Sequence, residues 1–440
     1  MNKQICALSK RLATSALACL LCYSPLIQAD GLTDVENTLV KYIDSEKSQS
    51  LALLEKVVNI NSGTMNFAGV RQVGDIFSDE LVKLGFAPQW IDGTAFDRAG
   101  HLFASRGSQG PKILMIGHLD TVFSKDSTVQ KYLKINAHEV KGPGVIDMKG
   151  GDVIIISTLK ALQAADLLDK FSIQVVMMGD EEKRGRPLMQ ASKVLIDAAK
   201  WADIAIGYEN GDGDPKTAVM ARRGYTGWRL EVSGKPAHSS QVFRADIGYG
   251  AIYEAARILD GFRTTLSTQT NLTFNPGLIV GGTDVEFDAK SARGHAYGKA
   301  NVIAKSTIVS GDLRTLSPEQ LASAQKSMQR IVLEHLAQTN ATITFDPGYP
   351  PMEPTKGNRR LLSIYDRVSR DLGFGPVTAV DPRKAGAADI SFTAKYVDMA
   401  IDGLGLMGHS SHTDDETADI RTLTQQSKRS ALLMARLLEL

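Results

Sequence analysis

Cysteine is scarce in this 440-residue chain, and the three that occur, Cys6, Cys19 and Cys22, all fall near its start. That start has the build of a secretory leader. Lys3, Lys10 and Arg11 precede an apolar run over 12–27, and Gln28-Ala29 supplies a small-residue cleavage site. Pro25 interrupts the run and polar sequence follows, so a retained membrane span is the weaker reading. Cys19, in Ala-Leu-Ala-Cys, is a poor lipidation site. A leader over 1–29 implies a secreted or periplasmic address and leaves a mature chain without cysteine. Disulfides, thiolate nucleophiles and thiolate ligands are then excluded, and any metal must be held by His, Asp and Glu.

Charge of one sign is missing too. The chain has 50 basic and 49 acidic side chains, and losing the leader's three cations leaves 47 against 49. Such a balance offers no basic footprint for nucleic acid. There is no internal repeat, no low-complexity tract, and no candidate for a stable membrane span after the leader.

What is present is a set of short apolar runs that end in acids or histidine. Residues 173–178 form a β-branched run followed by Asp180-Glu181-Glu182. Residues 113–116 hand over to Gly117-His118-Leu119-Asp120, and 204–206 lead to Tyr208-Glu209. Helical periodicity separates these runs, as it does at 31–60, 70–84 and 153–162. Alternating strand and helix predicts an α/β fold, a mostly parallel sheet with helices on both faces. Its strands all end at one edge, where ligands bind in such sheets. Clustered carboxylates there are costly without a cation, although an isolated Asp-Glu-Glu also suits a solvated loop. Asp147, in the glycine-rich loop before the helix at 153–162, could equally serve as its cap.

From 222 the texture changes. Strand, helix, strand, strand, helix, strand at 228–232, 247–259, 272–280, 306–313, 318–336 and 342–345 spell an inserted two-layer β-α-β-β-α-β unit. Expected boundaries are a leader at 1–29, a first catalytic part at 30–221, the insert at 222–346 and a second catalytic part at 347–440. The last part holds a helix at 359–372, a strand at 397–401 and a terminal helix at 423–440.

His118, Asp147, Glu182, Glu209 and His412 are the candidate ligands, a mixture of imidazole and carboxylate that suits zinc. They exceed one four-coordinate site with an open position but fit two Zn2+ if one carboxylate bridges. Asp120 lies two residues from His118, where a carboxylate orients a ligand imidazole. Glu181 is left over as general base.

These residues resemble the zinc metallopeptidases that include glutamate carboxypeptidase, aminoacylase, acetylornithine deacetylase and several dipeptidases. The likeness rests on Gly-His118-Leu-Asp120-Thr-Val, Gly-Pro-Gly-Val-Ile-Asp147-Met-Lys-Gly-Gly, Asp180-Glu181-Glu182, Tyr208-Glu209 and His412-Thr-Asp-Asp-Glu416, in that order. It implies that Asp147 bridges, that His118 and Glu209 complete one site and Glu182 and His412 the other. It implies that Asp120 orients His118 and that Glu181 is the catalytic base. His238, in Gly-Lys-Pro-Ala-His238, matches the histidine that steadies the oxyanion, often across a homodimer interface. Asn301 and Arg314 match substrate-holding residues, Arg314 gripping a carboxylate. Taken alone, His238 reads as a surface-loop histidine and Arg314 as half of a surface ion pair.

Met148, Ala304 and Ala387-Ala388-Asp389 depart from the usual pattern, where relatives carry Asp, Pro and Gly-Thr-Asp. His412 is chosen over His409 because Glu416 follows at the family spacing. His101, His138, His295 and His335 match no motif and read as surface or structural. Glutamate-releasing relatives carry Glu at the position of Glu209 and a lysine soon after, here Lys216, which could also be a solvated loop charge. The expected activity is a di-zinc exopeptidase on an amide beside a free C-terminal carboxylate, and the likeness to the glutamate-releasing relatives favours a glutamate-type carboxypeptidase acting on a C-terminal acidic residue. Its substrate is a small peptide or acyl-amino acid. The rivals are an aminoacylase-like amidohydrolase and a zinc-binding protein without catalysis.

Overall fold

The computed structural model of the chain describes residues 31–289 and 291–440; the leader expected at 1–29 lies outside them. Its centre is a six-stranded sheet. In chain order the strands are β1 (Ala87–Asp92), β2 (Gly100–Arg106), β3 (Lys112–His118), β4 (Ser172–Met178), β5 (Ile204–Gly207) and, after the insert, β12 (Met399–Ile401), arranged β1-β2-β4-β3-β5-β12. β4, β3, β5 and β12 run parallel, while β1 and β2 add an antiparallel edge. The expected mostly parallel sheet is therefore present, with two edge strands that the apolar runs did not announce.

Alternation along the strands explains the layers. Ile113 and Met115 of β3, with Ile173, Val175 and Met177 of β4, face one core, and Leu114, Ile116, Val176 and Met178 face a second. Strands buried on both faces read as continuous apolar runs, which is how these look in the sequence. The first core is covered by helices including Phe67–Lys83, Gly150–Ala164, Lys356–Asp371 and Arg421–Leu437, the second by Lys193–Trp201. Gly150–Ala164 is buried along most of its length because it packs between the sheet and the terminal helix. Local signals set the helix ends. Thr33 and Glu36 form a reciprocal cap on Asp34–Ser45. Phe67–Lys83 starts on Asn66 and stops before Gly85, whose φ of 77° suits glycine.

The segment after β5 builds a separate antiparallel sheet from β6 (Thr226–Gly234), β7 (Thr273–Gly282), β10 (Ser306–Arg314) and β11 (Thr339–Pro347), ordered β7-β10-β6-β11. Helices Ala251–Leu266 and Pro318–Leu333 pack on one face through Phe262, Ile258, Met328 and Ile331 against Trp228, Leu230 and Val309. The β-α-β-β-α-β order is the expected one; the first helix starts and ends later than its periodicity suggested. A ribbon of β8 (Asp284–Asp288) and β9 (Arg293–Tyr297) is additional. Among the described residues no helix is long and apolar enough to cross a membrane.

Candidate metal centre

The parallel strands deliver their chemistry at one edge. His118 is the last residue of β3, Asp180 to Glu182 follow β4, Glu209 follows β5, and Asp402 follows β12. Two loops close over that edge. One carries Asp147, ahead of the helix Gly150–Ala164; the other carries His412, between the short strands Gly408–His409 and Thr417–Asp419. These loops are joined by pairing, since Thr417–Asp419 runs antiparallel to Glu139–Lys141. Glu416 completes the joint. Its carboxylate accepts from the backbone N–H of Gly144 at 3.2 Å, Ile146 at 2.9 Å and Asp147 at 3.2 Å.

Asp147 is where the two halves meet. Its Oδ1 lies 3.1 Å from His118 Nε2, and its Oδ2 lies 2.9 Å from His412 Nε2. Glu209 Oε1 is 3.4 Å from His118 Nε2, and Glu182 Oε2 is 3.3 Å from His412 Nε2. Two donor triads result, His118–Asp147–Glu209 and Asp147–Glu182–His412, each with its ligand atoms within 4.8 Å of one another. All five expected ligands are thus brought together. His409 joins neither triad and contacts Ser410 instead.

A carboxylate belt holds this arrangement. Asp120, fully buried, accepts from Glu181 N at 3.0 Å, Glu182 N at 3.1 Å and Thr64 Oγ1 at 2.6 Å. Its backbone carbonyl takes His118 Nδ1 at 3.0 Å, which turns Nε2 toward Asp147. Asp120 therefore fixes the acid pair as firmly as it orients the imidazole. Asp402 accepts from Glu209 N at 3.2 Å and is paired with the buried Arg222 at 2.9 Å. Arg184, also buried, bridges Asp180 and Asp389 and bonds the hydroxyl of Tyr349, which donates to the carbonyl of Glu181 at 3.0 Å.

Burial raises three of the site's carboxyls, and the histidines hold the fourth low. Burial pushes the Glu182 carboxyl up to about 7; His412 opposes this and the charge of Asp147 adds to it. Burial likewise raises Glu181 well above its ordinary range, against the pull of His118 and with the repulsion of Glu209 and Glu182. Glu209 is raised by burial and by Asp147. At Asp147 burial works upward, but His118 and His412 outweigh it and hold the carboxyl low. His412 is pushed up to about 11 by its bonds to Asp147 and Glu182. So much crowded acidity asks for positive charge. Glu182 Oε1 is buried with no hydrogen-bond partner in the structure, as expected of an atom whose partner is a cation. The donor set, all imidazole nitrogen and carboxylate oxygen, fits zinc, and Asp147 offers one oxygen to each triad.

The other expected residues lie elsewhere. His238 is exposed, bonded to Ser240 at 2.9 Å, and its strand-like neighbour bridge is to Val302. Asn301 is on the adjoining loop, where its carbonyl accepts from Ser239 N. Arg314 ends β10, pairs with Asp312 at 2.9 Å and lies over the ring of Tyr225. Lys216 is exposed in a turn whose backbone bonds Asp214 and Thr378. None of these four belongs to a triad. His101 is structural and buried. It stacks on Phe96 and bonds the backbone of Ala191 and Gly179. Asp402, Arg222, Arg184 and Tyr349 went unread in the sequence. For Asp402 a signal existed, since it follows an apolar strand as Glu209 does.

The sequence profile of peptidase family M20/M25/M40 matches residues 114–438. Carboxypeptidase G2 of Pseudomonas sp. (strain RS-16) is 24% identical over 402 residues, covering 91% of this chain and 92% of that one. Succinyl-diaminopimelate desuccinylase of Bradyrhizobium sp. (strain BTAi1 / ATCC BAA-1182) is 26% identical over 372 residues, covering 78% and 89%. Among solved structures, aminopeptidase PepT from Bacillus cereus ATCC 10987 superposes with a TM-score of 0.70 at 17% identity, covering 89% of this chain and 98% of that one.

Proposed function

The chain belongs to peptidase family M20/M25/M40, a family of zinc-dependent hydrolases, and from that premise we propose a secreted or periplasmic carboxypeptidase that holds two Zn2+ and cleaves an amide beside a free C-terminal carboxylate. The observation that carries this reading is the division of Asp147 between two donor triads. The chemistry zinc supplies when bound there is Lewis acidity, which lowers the pKa of water and polarises a carbonyl.

The chain's own residues supply the rest. Glu181 sits beside the ligand Glu182 with its backbone pinned from both ends, by Asp120 at the N–H and by Tyr349 at the carbonyl. Its role is to take the proton of the attacking water and hand it to the leaving nitrogen. Arg314 and Asn301 on the insert are assigned to the substrate, Arg314 to the free carboxylate, and His238 to the oxyanion across a homodimer. Supporting the homodimer, the insert exposes Phe243, Ile252, Tyr253, Ile279 and Tyr297, with Phe243 packed on Tyr249 and Tyr253.

The test is a panel of C-terminally varied dipeptides and N-acyl amino acids, with and without chelator. Release of the C-terminal amino acid that stops on metal removal and returns with zinc supports the reading. Glu181→Gln should abolish turnover while zinc stays bound, and full activity in that variant would defeat the assignment. A preference for N-acyl amino acids over peptides would favour the aminoacylase-like alternative, and no hydrolysis of any amide would leave a zinc-binding protein.

A further inference from the structure

The insert is joined to the rest of the chain by two connections, and these pair with each other. Arg222 and Met352 exchange backbone hydrogen bonds at 2.8 and 2.9 Å, and Tyr225 N donates to the carbonyl of Tyr349 at 2.8 Å. Each connection sends one side chain towards the metal centre. From the first, Arg222 pairs with Asp402, which accepts from Glu209 N. From the second, two residues after β11, Tyr349 reaches the peptide between Glu181 and Glu182.

The hydroxyl of Tyr349 can send its proton one way only. It accepts from Arg184 Nε at 3.2 Å and Nη2 at 3.0 Å, and a guanidinium has no lone pair to offer in return. The proton therefore goes to the carbonyl of Glu181 at 3.0 Å. The charge of Arg184 polarises the O–H and strengthens the bond it donates. Arg184 is itself fixed. Asp180 Oδ1 takes its Nη1 at 2.8 Å, Asp389 takes its Nη2, and Asp180 Oδ2 accepts from Gly185 N at 2.9 Å. The peptide between Glu181 and Glu182 is thus held at two ends, its N–H by Asp120 at 3.1 Å and its carbonyl by Tyr349. The Tyr349 ring packs on Phe392 with centroids 5.1 Å apart, a contact that needs no hydroxyl.

We propose that Tyr349 is a positioning residue for Glu181: its hydroxyl sets the tilt of the peptide that follows the base, which makes the seam to the insert part of the catalytic geometry. This rests on the assignment of Glu181 as general base. Without the phenol that peptide is free to rock about its bond to Asp120. Glu182 has a second anchor, because its carboxylate belongs to a donor triad. Glu181 belongs to none, so the rocking falls on the base. A reacting group misplaced by about 1 Å can cost about 100-fold in rate.

The experiment is Tyr349→Phe, which keeps the ring and removes the hydroxyl. In the zinc-loaded enzyme, on a substrate drawn from the dipeptide panel, kcat should fall by about 10- to 100-fold while KM and zinc affinity stay close to wild type. In the metal-free protein, amide exchange over residues 179–185, read by mass spectrometry, should quicken by about 10-fold, the value of one hydrogen bond. Tyr396→Phe, on a half-exposed ring, is the control and should change none of these. A scaffolding role would instead raise KM and weaken zinc binding together with kcat. That pattern, or an unchanged kcat, overturns the proposal. Full activity in Glu181→Gln removes the base assignment and the proposal with it, whereas an inactive Glu181→Gln beside a normal Tyr349→Phe removes the proposal alone. If no amide is hydrolysed, the exchange measurement decides, and unchanged rates over 179–185 overturn the role of Tyr349.

Discussion

Replacing Glu416 by glutamine keeps the length of the side chain and removes its charge. In the native protein Oε1 accepts from Ile146 N at 2.9 Å and Asp147 N at 3.2 Å, while Oε2 accepts from Gly144 N at 3.2 Å. A glutamine can leave its oxygen toward Ile146 and Asp147, but its NH2 then confronts the N–H of Gly144, donor against donor. A buried hydrogen bond to a charged acceptor contributes about 1.5–3 kcal/mol. One opposing effect must be weighed. Burial and the charge of Asp147 push Glu416 up to about 8, so removing that charge relieves repulsion. The relief counts only while Glu416 is ionised. At pH 7 the metal-free protein mostly carries the proton already, so the gain is small. A bound cation, by contrast, favours the ionised form. The lost bond wins, and zinc affinity at pH 7 should fall by about 10- to 100-fold. Competition of metal-free protein against a chromogenic chelator measures this, and Glu416→Ala should fall further. Affinity in the glutamine variant equal to or tighter than wild type would refute the reasoning.

Metal uptake near pH 7 should release protons, because Glu182 (raised to about 7) and His412 (raised to about 11) hold theirs in the metal-free protein. Zinc affinity therefore climbs as pH rises through about 7, and calorimetric heats should differ between phosphate and Tris buffers; identical heats would contradict it. Arg222→Met leaves Asp402 buried with an unpaired charge and should lower the unfolding free energy by about 3–5 kcal/mol, read from urea titration. An unshifted midpoint would mean that Asp402 has a sufficient second partner.

Much of the fold was legible because the parallel strands are buried on both faces. Burial made β3, β4 and β5 continuous apolar runs, and the rule that ligands gather at their carboxyl ends pointed to His118, Glu182 and Glu209 without any family likeness. Asp147 and His412 came only from motifs. The strands that bring their loops together, Glu139–Lys141 and Thr417–Asp419, are three residues each, too short for periodicity to register. β1 is exposed or half-buried along its length and lacks the apolar signature, and β8 and β9 likewise. Arg184 is a different case. Asp180 is four residues away, but the partners that complete its burial, Tyr349 and Asp389, lie 165 and 205 positions away. The burial of His101 is equally invisible locally, its surroundings being supplied by Ala191 and Gly179.

In β3 the alternation that sends Ile113 and Met115 to one core and Leu114 and Ile116 to the other also decides where His118 ends up. Deleting one residue anywhere in that strand would swap its two packing surfaces and carry the imidazole off target in the same stroke. Length changes are thus barred from the strands by two independent penalties and permitted in the connections. Homologues of this protein should vary in size between their strands, and almost never inside them.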